Sequence, residues 1–116
     1  MNERELAEAF LRWLNGEEVG FDPDAQIAAA VEADLMFAGP MTSREELVKM
    51  VEITGKGLDL QILATASDGE RTALMYELVD EVTMLHHRCA MFVSVVDGQV
   101  VAAMRVSSQG WPGPDR

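Results

Sequence analysis

The sequence contains a single cysteine, few basic side chains and no long apolar run. Because Cys89 is alone, no disulfide can form within the chain, and we expect a reducing compartment, the cytoplasm. Only 9 lysine and arginine residues stand against 20 acidic ones, so the net charge is −11. A field of that sign repels phosphate groups, which argues against nucleic acid and anionic membrane surfaces as partners.

Segments that would direct the chain to a membrane are also lacking. No apolar run approaches the ~20 residues that a membrane-spanning helix requires. The first residues, Met1 to Glu5, lack the basic start and the apolar core of a secretory signal. We therefore expect a soluble protein with no membrane partner.

What the sequence does have is the composition of one globular domain. Of its 116 residues, 48% are hydrophobic and 25% are charged, which is ordinary for a folded protein. No linker or repeat divides the chain, so we expect a single α+β domain over residues 1–108. Residues 109–116 are rich in glycine and proline and are expected to form a disordered tail.

Two helices are predicted at the start of the chain. Apolar residues recur at helical spacing over residues 2–15, and Asn2 can cap this helix. Asp22 and Pro23 are a typical cap and first residue of a second, shorter helix. We expect this second helix to continue into the alanine stretch 28–30.

A strand and a third helix follow. Apolar and polar residues alternate over 31–37, which predicts a strand ending at Phe37 before the Gly39-Pro40 turn. Ser43 and Glu46 have the spacing of a capping box, which predicts a helix that begins there and stops before Gly55.

From Leu58 onward the apolar period is that of strands. Asp68-Gly69 and Asp97-Gly98 are strong hairpin-turn sequences. They predict antiparallel strands over 58–67, 71–79, 83–96 and 99–108.

This order of elements resembles the NTF2-like superfamily, which includes SnoaL-like polyketide cyclases, ketosteroid isomerases and limonene epoxide hydrolase. The resemblance covers about residues 3–108 and rests on three segments: Ala33-Asp34-Leu35-Met36-Phe37, Ser43-Arg44-Glu45-Glu46-Leu47, and Phe92 to Val100. It implies a cone of about three N-terminal helices packed on a curved mixed or antiparallel sheet of about five strands. It also implies an internal apolar pocket, and many such proteins form dimers through the sheet.

The catalytic positions of these relatives are mostly not kept. The base, the oxyanion-hole tyrosine and the second oxyanion acid of ketosteroid isomerases correspond to Gly39, Phe10 and Ala90. The five residues used by the epoxide hydrolase correspond to Met36, Ala38, Leu78, Asp80 and Arg105, of which only Asp80 matches. The resemblance therefore implies isomerase, cyclase or hydrolase-type chemistry without the residues known to perform it.

The last hairpin predicts one apolar and one mixed sheet face. A two-residue turn at Asp97-Gly98 pairs Val96 with Gln99, and so places Ala90 opposite Arg105. The apolar face then holds Cys89, Met91, Val93, Val95, Val100, Ala102, Met104 and Val106. The mixed face holds Met84, His86, Arg88, Ala90, Phe92, Val101, Ala103 and Arg105.

We expect the mixed face to line the pocket and the apolar face to form a homodimer. On that interpretation an apolar small molecule is the ligand, and the pocket-lining residues are Trp13, Phe37, Tyr76, Arg88 and Phe92. The alternative places the apolar face on the domain's own helices and leaves the arginines in water.

The turn after the third strand decides which polar residues meet. A two-residue turn at Asp80-Glu81 would place Met75 and Glu77 on the face of His86, whereas a three-residue turn would place Tyr76, Leu78 and Asp80 there. In the second arrangement Asp80, His86 and Arg105 are the catalytic candidates. Asp80 would act as a base or as a partner of an arginine, and His86 would carry protons.

No metal or cofactor is expected. His86 and His87 are neighbours on a strand and point to opposite faces, so they cannot hold one ion together. Two functions stay open on the sequence alone. One is a pocket enzyme acting on a carbonyl-bearing apolar molecule, and the other is a non-catalytic dimeric module for ligand binding or protein interaction.

Overall fold

Three helices and six strands make up residues 1–35 and 39–107, the part of the chain that the computed structural model describes. The helices are α1 (Glu3–Leu14), α2 (Pro23–Gln26) and α3 (Arg44–Thr54). The strands are β1 (Ile27–Asp34), β2 (Pro40–Met41), β3 (Asp59–Ser67), β4 (Arg71–Asp80), β5 (Leu85–Val96) and β6 (Gln99–Ser107). This is the expected α+β architecture, with six strands instead of about five because Pro40–Met41 pairs with β1.

The two long helices begin at the caps that the sequence predicts. The Asn2 side chain accepts a hydrogen bond from the Glu5 amide at 2.8 Å, and Ser43 Oγ accepts one from the Glu46 amide at 3.2 Å. Each satisfies a backbone donor that the first helical turn leaves without a partner. No helix in the described part of the chain combines the length and the apolar character needed to cross a membrane.

The alanine stretch 28–30 lies in a strand, so the prediction that α2 continues through it was wrong. Helix α2 ends at Gln26, and β1 begins at Ile27, which is fully buried opposite Val100 of β6. Pairing with a neighbouring strand has overridden the helical preference of alanine. Strand β1 ends at Asp34, and Phe37, where we expected the strand to end, lies outside the described residues.

The sheet has the order β2-β1-β6-β5-β4-β3. Strands β1 and β6 run parallel, and all other neighbours are antiparallel. Helices α1 and α3 pack on one side of the sheet, which we call the inner face. The core lies between these helices and the sheet. The opposite side is called the outer face.

A bulge in the last hairpin changes the predicted register. Val96 pairs with Gln99 as expected, but the register shifts between Ser94 and Val95, so that Ser94 pairs with Ala102. Val101 is the extra residue, and every later residue of β6 changes face. As a result Arg105 lies opposite Met91 on the inner face, and the predicted pairing of Ala90 with Arg105 was wrong.

The expected roles of the two faces are reversed. Cys89, Met91, Val93 and Val95 are buried against the helices, so this face of β5 is the domain core and not a dimer surface. Burying it on the domain's own helices removes a large apolar area from water at no entropic cost of association. For β5 the alternative arrangement is therefore the observed one: Phe92 points away from the core with 46% of its surface exposed, and Arg88 lies on the outer face. For β6 it is wrong, because the bulge brings Arg105 to the inner face and leaves Met104 and Val106 exposed.

Candidate functional site

A small cavity lies between the inner face and the two long helices. Its volume is about 50 Å³, enough for a few water molecules or the end of a small ligand. Apolar side chains form most of its wall, and three polar residues join them. The lining residues are Leu11, Leu14, Asn15, Leu35, Met50, Leu60, Tyr76, Leu78, Met91 and Arg105.

Tyr76 and Arg105 bring hydrogen-bond donors to this cavity from strands β4 and β6. Cys89 of β5 lies between them: it pairs with Tyr76 in the sheet, and Arg105 Nη2 lies 3.6 Å from its Sγ. Tyr76 is 1% exposed. Burial raises the pKa of the Tyr76 hydroxyl well above its usual range, and the positive charge of Arg105 opposes that rise only in part. The hydroxyl therefore keeps its proton at neutral pH and can donate a hydrogen bond.

Asn15 joins the cavity wall to the loop between α3 and β3. Its side-chain NH2 group donates to the Leu58 carbonyl at 2.9 Å, and its backbone carbonyl accepts from the Gly57 amide at 2.8 Å. The approach is close enough that a Cβ on Gly16, whose φ is +78°, would collide with the Gly55 carbonyl. Glycine is needed at position 16 for both reasons, and the end of α1 is held firmly beside the cavity.

The arrangement suits recognition of an acceptor oxygen better than proton transfer. A guanidinium and a phenol are both donors at neutral pH, and guanidinium forms strong charge-assisted bonds to carboxylates. Among the described residues that line the cavity there is no carboxylate and no imidazole. Removing a proton from a bound molecule at neutral pH would need a base such as one of these groups within hydrogen-bond reach.

A separate charged cluster lies on the outer face. Glu77 accepts a hydrogen bond from Arg88 Nη2 at 2.9 Å, and its other carboxylate oxygen lies 3.1 Å from His86 Nδ1. The bonds to Arg88 and then to His86 lower the pKa of Glu77. The turn after β4 contains four residues, with Asp80 paired to Leu85, and it places Glu77 and Met75 on the face of His86. Neither of the two predicted turn lengths is observed, but the face that Met75 and Glu77 share with His86 is that of the first arrangement.

The three catalytic candidates from the sequence do not lie in one site. Arg105 is at the inner cavity, and His86 is exposed on the outer face. Asp80 lies at the end of β4, where its carboxylate accepts from the amides of Val82 at 3.0 Å and Thr83 at 3.3 Å. These two backbone bonds lower the pKa of Asp80, and they tie the carboxylate to the turn.

Of the four described residues that were expected to line a pocket, only Tyr76 borders the inner cavity. Trp13 packs in an aromatic cluster, with ring centroids 5.3 Å from Phe21 and 6.1 Å from Phe10. Arg88 and Phe92 lie on the outer face, and Phe37 is outside the described residues.

Sequence reasoning missed Asn15 as a cavity residue and missed the side on which Arg105 lies. Asn15 follows the last apolar residue of a predicted helix, where a cap is the expected role. The bulge at Val101 moves Arg105 to the face opposite the predicted one. Val100 and Val101 give no sign of a bulge in the sequence, since neither is a glycine. Within residues 1–35 and 39–107, no group of three or more His, Cys, Asp or Glu residues could hold a metal ion.

The outer face exposes a set of apolar side chains. Met75, Phe92, Met104 and Val106 are each between 46% and 49% exposed, and Ala90 lies among them. An open groove of about 600 Å³ crosses this face, with Phe92, Ser94, Ala102 and Met104 among its lining residues and Glu32 and Arg71 at its ends. We call Met75, Ala90, Phe92, Met104 and Val106 the outer patch.

The sequence matches no protein-family model, and no curated protein matches it. The structure, in contrast, resembles many solved ones. A protein of Kribbella flavida, provisionally assigned as a ketosteroid isomerase, has a TM-score of 0.74 and 21% identity over 96% of this chain and 81% of that chain.

Two further structures give the same result. An NTF2-like protein of unknown function from Burkholderia xenovorans has a TM-score of 0.68 and 16% identity, covering 98% of this chain and 91% of that chain. An LEH-like epoxide hydrolase of M. tuberculosis has a TM-score of 0.69 and 16% identity, covering 90% and 80%. The protein therefore has the NTF2-like fold, as its sequence resemblance implies.

Proposed function

We propose that this protein binds a small, mainly apolar molecule whose oxygen-bearing end enters the inner cavity. The observation that carries this proposal is the position of Arg105 and Tyr76 in a wall that is otherwise apolar apart from Asn15. Apolar walls remove hydrocarbon from water, and a few fixed donors orient one polar group. A carboxylate fits best because the guanidinium is always charged, and a carbonyl compound is the neutral equivalent.

Binding without catalysis is the function that the geometry supports best. The lining residues offer donors for an oxygen but no base to remove a proton. Isomerase, cyclase or hydrolase chemistry would need Asp80 or His86, and those two residues lie away from the cavity lining. The volume of about 50 Å³ favours a short ligand, since drug-sized ligands occupy pockets of roughly 300 Å³ or more.

A homodimer through the outer face is the second part of the proposal. The face of β5 that we expected to form the dimer is buried in the domain core. The outer patch is apolar and exposed, and its size and the polar residues around it support it as the interface instead. We place this dimer in the cytoplasm, where Cys89 stays reduced.

Ligand binding can be tested by thermal unfolding with short-chain carboxylates from acetate to hexanoate as probes. A ligand that binds only the folded state raises the free energy of unfolding, by about 2.7 kcal/mol when its concentration is a hundred times Kd, and so raises Tm. We expect the longer carboxylates to raise Tm, and primary alcohols of equal length to raise it less. Replacing Arg105→Met should weaken carboxylate binding by roughly 10- to 100-fold, the usual loss for a charge-assisted bond.

The matched control is Arg88→Met, which removes the same charge from the outer face. It should leave the Tm increase unchanged. The proposal is wrong if Arg105→Met keeps the full increase in Tm, or if Arg88→Met loses it to the same extent.

A further inference from the structure

The inner face of the sheet extends beyond the helices that cover it. Met91 and Val93 lie on this face of β5 and are at most 2% exposed. Leu85 belongs to the same alternation, because the register of β4 and β5 is unbroken, yet it is 57% exposed. Helix α1 ends one residue before Asn15, and Asn15 bonds to Leu58 just before β3 begins. The helical cover therefore stops before the end of the β4–β5 hairpin.

This uncovered end continues the wall of the inner cavity. Leu78 lines the cavity and pairs with His87 of β5. The next row outward on the same face is Asp80–Leu85. Leu58 lies beside that row, because the first residue of β3 pairs with the residue that precedes Asp80. We call Leu58, Leu78, Leu85 and His87 the ledge.

The ledge is mainly apolar and is open to solvent. Leu58 is 37% exposed, and Leu85 more than half. The carboxylate of Asp80, at the end of the ledge, accepts from the amides of Val82 and Thr83, so it is turned toward the hairpin turn. Single exposed leucines are common on protein surfaces, but an apolar strip that continues a cavity is a surface on which a ligand can lie.

The polar end of the site lies at the other end of this path. Arg105 Nη2 is 3.6 Å from Cys89 Sγ, and Tyr76 pairs with Cys89, so both donors are at the level of that cysteine. From Cys89 to Leu85 the strand advances four residues, or ~13 Å. An extended chain advances ~1.2 Å per bond, so a carboxylate held at Arg105 would reach Leu85 with about ten carbon atoms.

We propose that the ligand is a medium-chain carboxylate whose head group binds Arg105 and Tyr76 and whose alkyl chain leaves the cavity over Leu78 to lie on the ledge. This rests on the function proposed above and names the class of ligand. The enclosed volume of about 50 Å³ then holds the carboxylate and the first carbon atoms, and the ledge receives the rest of the chain.

The reversed orientation is the competing arrangement. With the chain in the cavity and the carboxylate on the ledge, the donors of Arg105 and Tyr76 would face hydrocarbon, and a desolvated donor without an acceptor is costly. The ligand's carboxylate would also lie beside Asp80, an acid of the same sign. The orientation with the carboxylate at Arg105 is therefore preferred.

Isothermal titration calorimetry with hexanoate and decanoate, each below its micelle concentration, tests the proposal. Full burial of a methylene group strengthens binding about fourfold, and the ledge covers one side of the chain, so about twofold per group is expected. The four added groups of decanoate should therefore lower Kd by at least about tenfold. Decanedioate would place a second carboxylate beside Asp80 and should bind no more tightly than hexanoate.

Leu85→Thr removes the apolar end of the ledge and keeps a residue that suits a strand. It should reduce the preference for decanoate over hexanoate to less than about threefold, and it should leave hexanoate binding unchanged because six carbon atoms do not reach Leu85. Val96→Thr is the matched control at the opposite end of the same strand, where Val96 is 50% exposed. It should leave both Kd values unchanged, and thermal unfolding checks that both variants fold.

The outcomes separate the ledge from the cavity. If neither carboxylate binds, the proposed function fails and the ledge with it. If hexanoate binds through Arg105 but decanoate binds no more tightly, the function stands and the ledge proposal is wrong. The ledge proposal is also overturned if Leu85→Thr keeps the full preference for decanoate, if Val96→Thr loses it equally, or if decanedioate binds as tightly as decanoate.

Discussion

The two faces of one sheet are built from alternate residues of the same strands, yet they do different work. On the inner face, Met91 and Val93 are buried under α1, and the polar groups Tyr76 and Arg105 border a small cavity. On the outer face, Phe92 and Met104 are half exposed, and the charged residues around them contact solvent. The inner face therefore supplies the stability of the monomer, and the outer face contributes little until something covers it.

This contrast also separates two kinds of polar residue. A polar group on the inner face is desolvated, so its chemistry is altered mainly by burial, as the raised pKa of Tyr76 illustrates. On the outer face, the Glu77 side chain is 13% exposed, and the hydrogen bonds to Arg88 and then to His86 change its pKa more than burial does. Only the inner site has the desolvation that makes a hydrogen bond to a ligand selective.

The largest difference between the two faces is expected when the same substitution is made on each. Met91→Ala removes a side chain that is 2% exposed, whereas Met75→Ala removes one that is 48% exposed on the next strand. We expect Met91→Ala to lower the free energy of unfolding by about 2–5 kcal/mol. Met75→Ala should change it by less than about 0.5 kcal/mol in the monomer. Urea unfolding at protein concentrations below the Kd of the proposed dimer measures both.

The same two variants should differ in the opposite sense in sedimentation. Met75→Ala shortens a side chain of the outer patch and should weaken the proposed dimer, while a folded Met91→Ala protein should sediment as the wild type does. Equal losses of unfolding free energy from the two substitutions would contradict the division between the faces.

The sequence predicted the elements of this fold better than the faces of its sheet. The helix caps at Asn2 and Ser43 and the Asp97-Gly98 turn depend on local chemistry, so their residues identify them. The face of Arg105 depends on the bulge at Val101, and a valine among valines has no local preference for one. Because a shift of one residue exchanges the two faces, this single bulge made the predicted position of Arg105 wrong, and with it the predicted set of site residues.

The cavity could not be derived from the sequence for a related reason. Tyr76 was expected beside a pocket on the strength of a turn length that the structure does not have. The turn of four residues instead separates Tyr76 from His86 and leaves the tyrosine on the inner face with Arg105. Tertiary packing decides how long such a turn is, and turns of two to five residues are all common in hairpins.

A second prediction concerns the ionisation of Tyr76, the only tyrosine of the chain, on the inner face. Because burial raises its pKa, Tyr76 should ionise in the folded protein well above the value of about 10 of an unfolded tyrosine. The folded state holds this proton more tightly, so the resulting stability is complete below pH ~10 and is lost as the pH rises toward the folded pKa. Tyrosinate absorbance in the near ultraviolet, with circular dichroism to follow folding, measures both effects.

Tyr76→Phe provides the control, since it removes the absorbance change and the alkaline loss of stability together. A native protein whose tyrosine titrates near pH 10 while its circular dichroism stays unchanged would show that the inner wall is open to solvent. Such a result would remove the desolvation on which selective ligand binding depends.

The smallest effect is expected on the outer face, at Glu77. The hydrogen bonds from Arg88 and then from His86 lower the pKa of Glu77 in the folded protein. Ionised Glu77 therefore stabilises the folded state fully above the pKa of an unfolded glutamate, about 4.3. That stability is lost as the pH falls through the folded pKa. Glu77→Gln should therefore unfold more easily than the wild type at neutral pH, and the difference should shrink as the pH falls into the acid range and as salt is added. Urea unfolding across pH measures this, with Glu52→Gln on α3 as a control that breaks no ion pair between described residues.

A difference that does not change with pH would mean that Glu77 contributes through packing and not through its charge. An effect as large as that of Met91→Ala would mean that the outer face shares the stabilising role here assigned to the inner face alone.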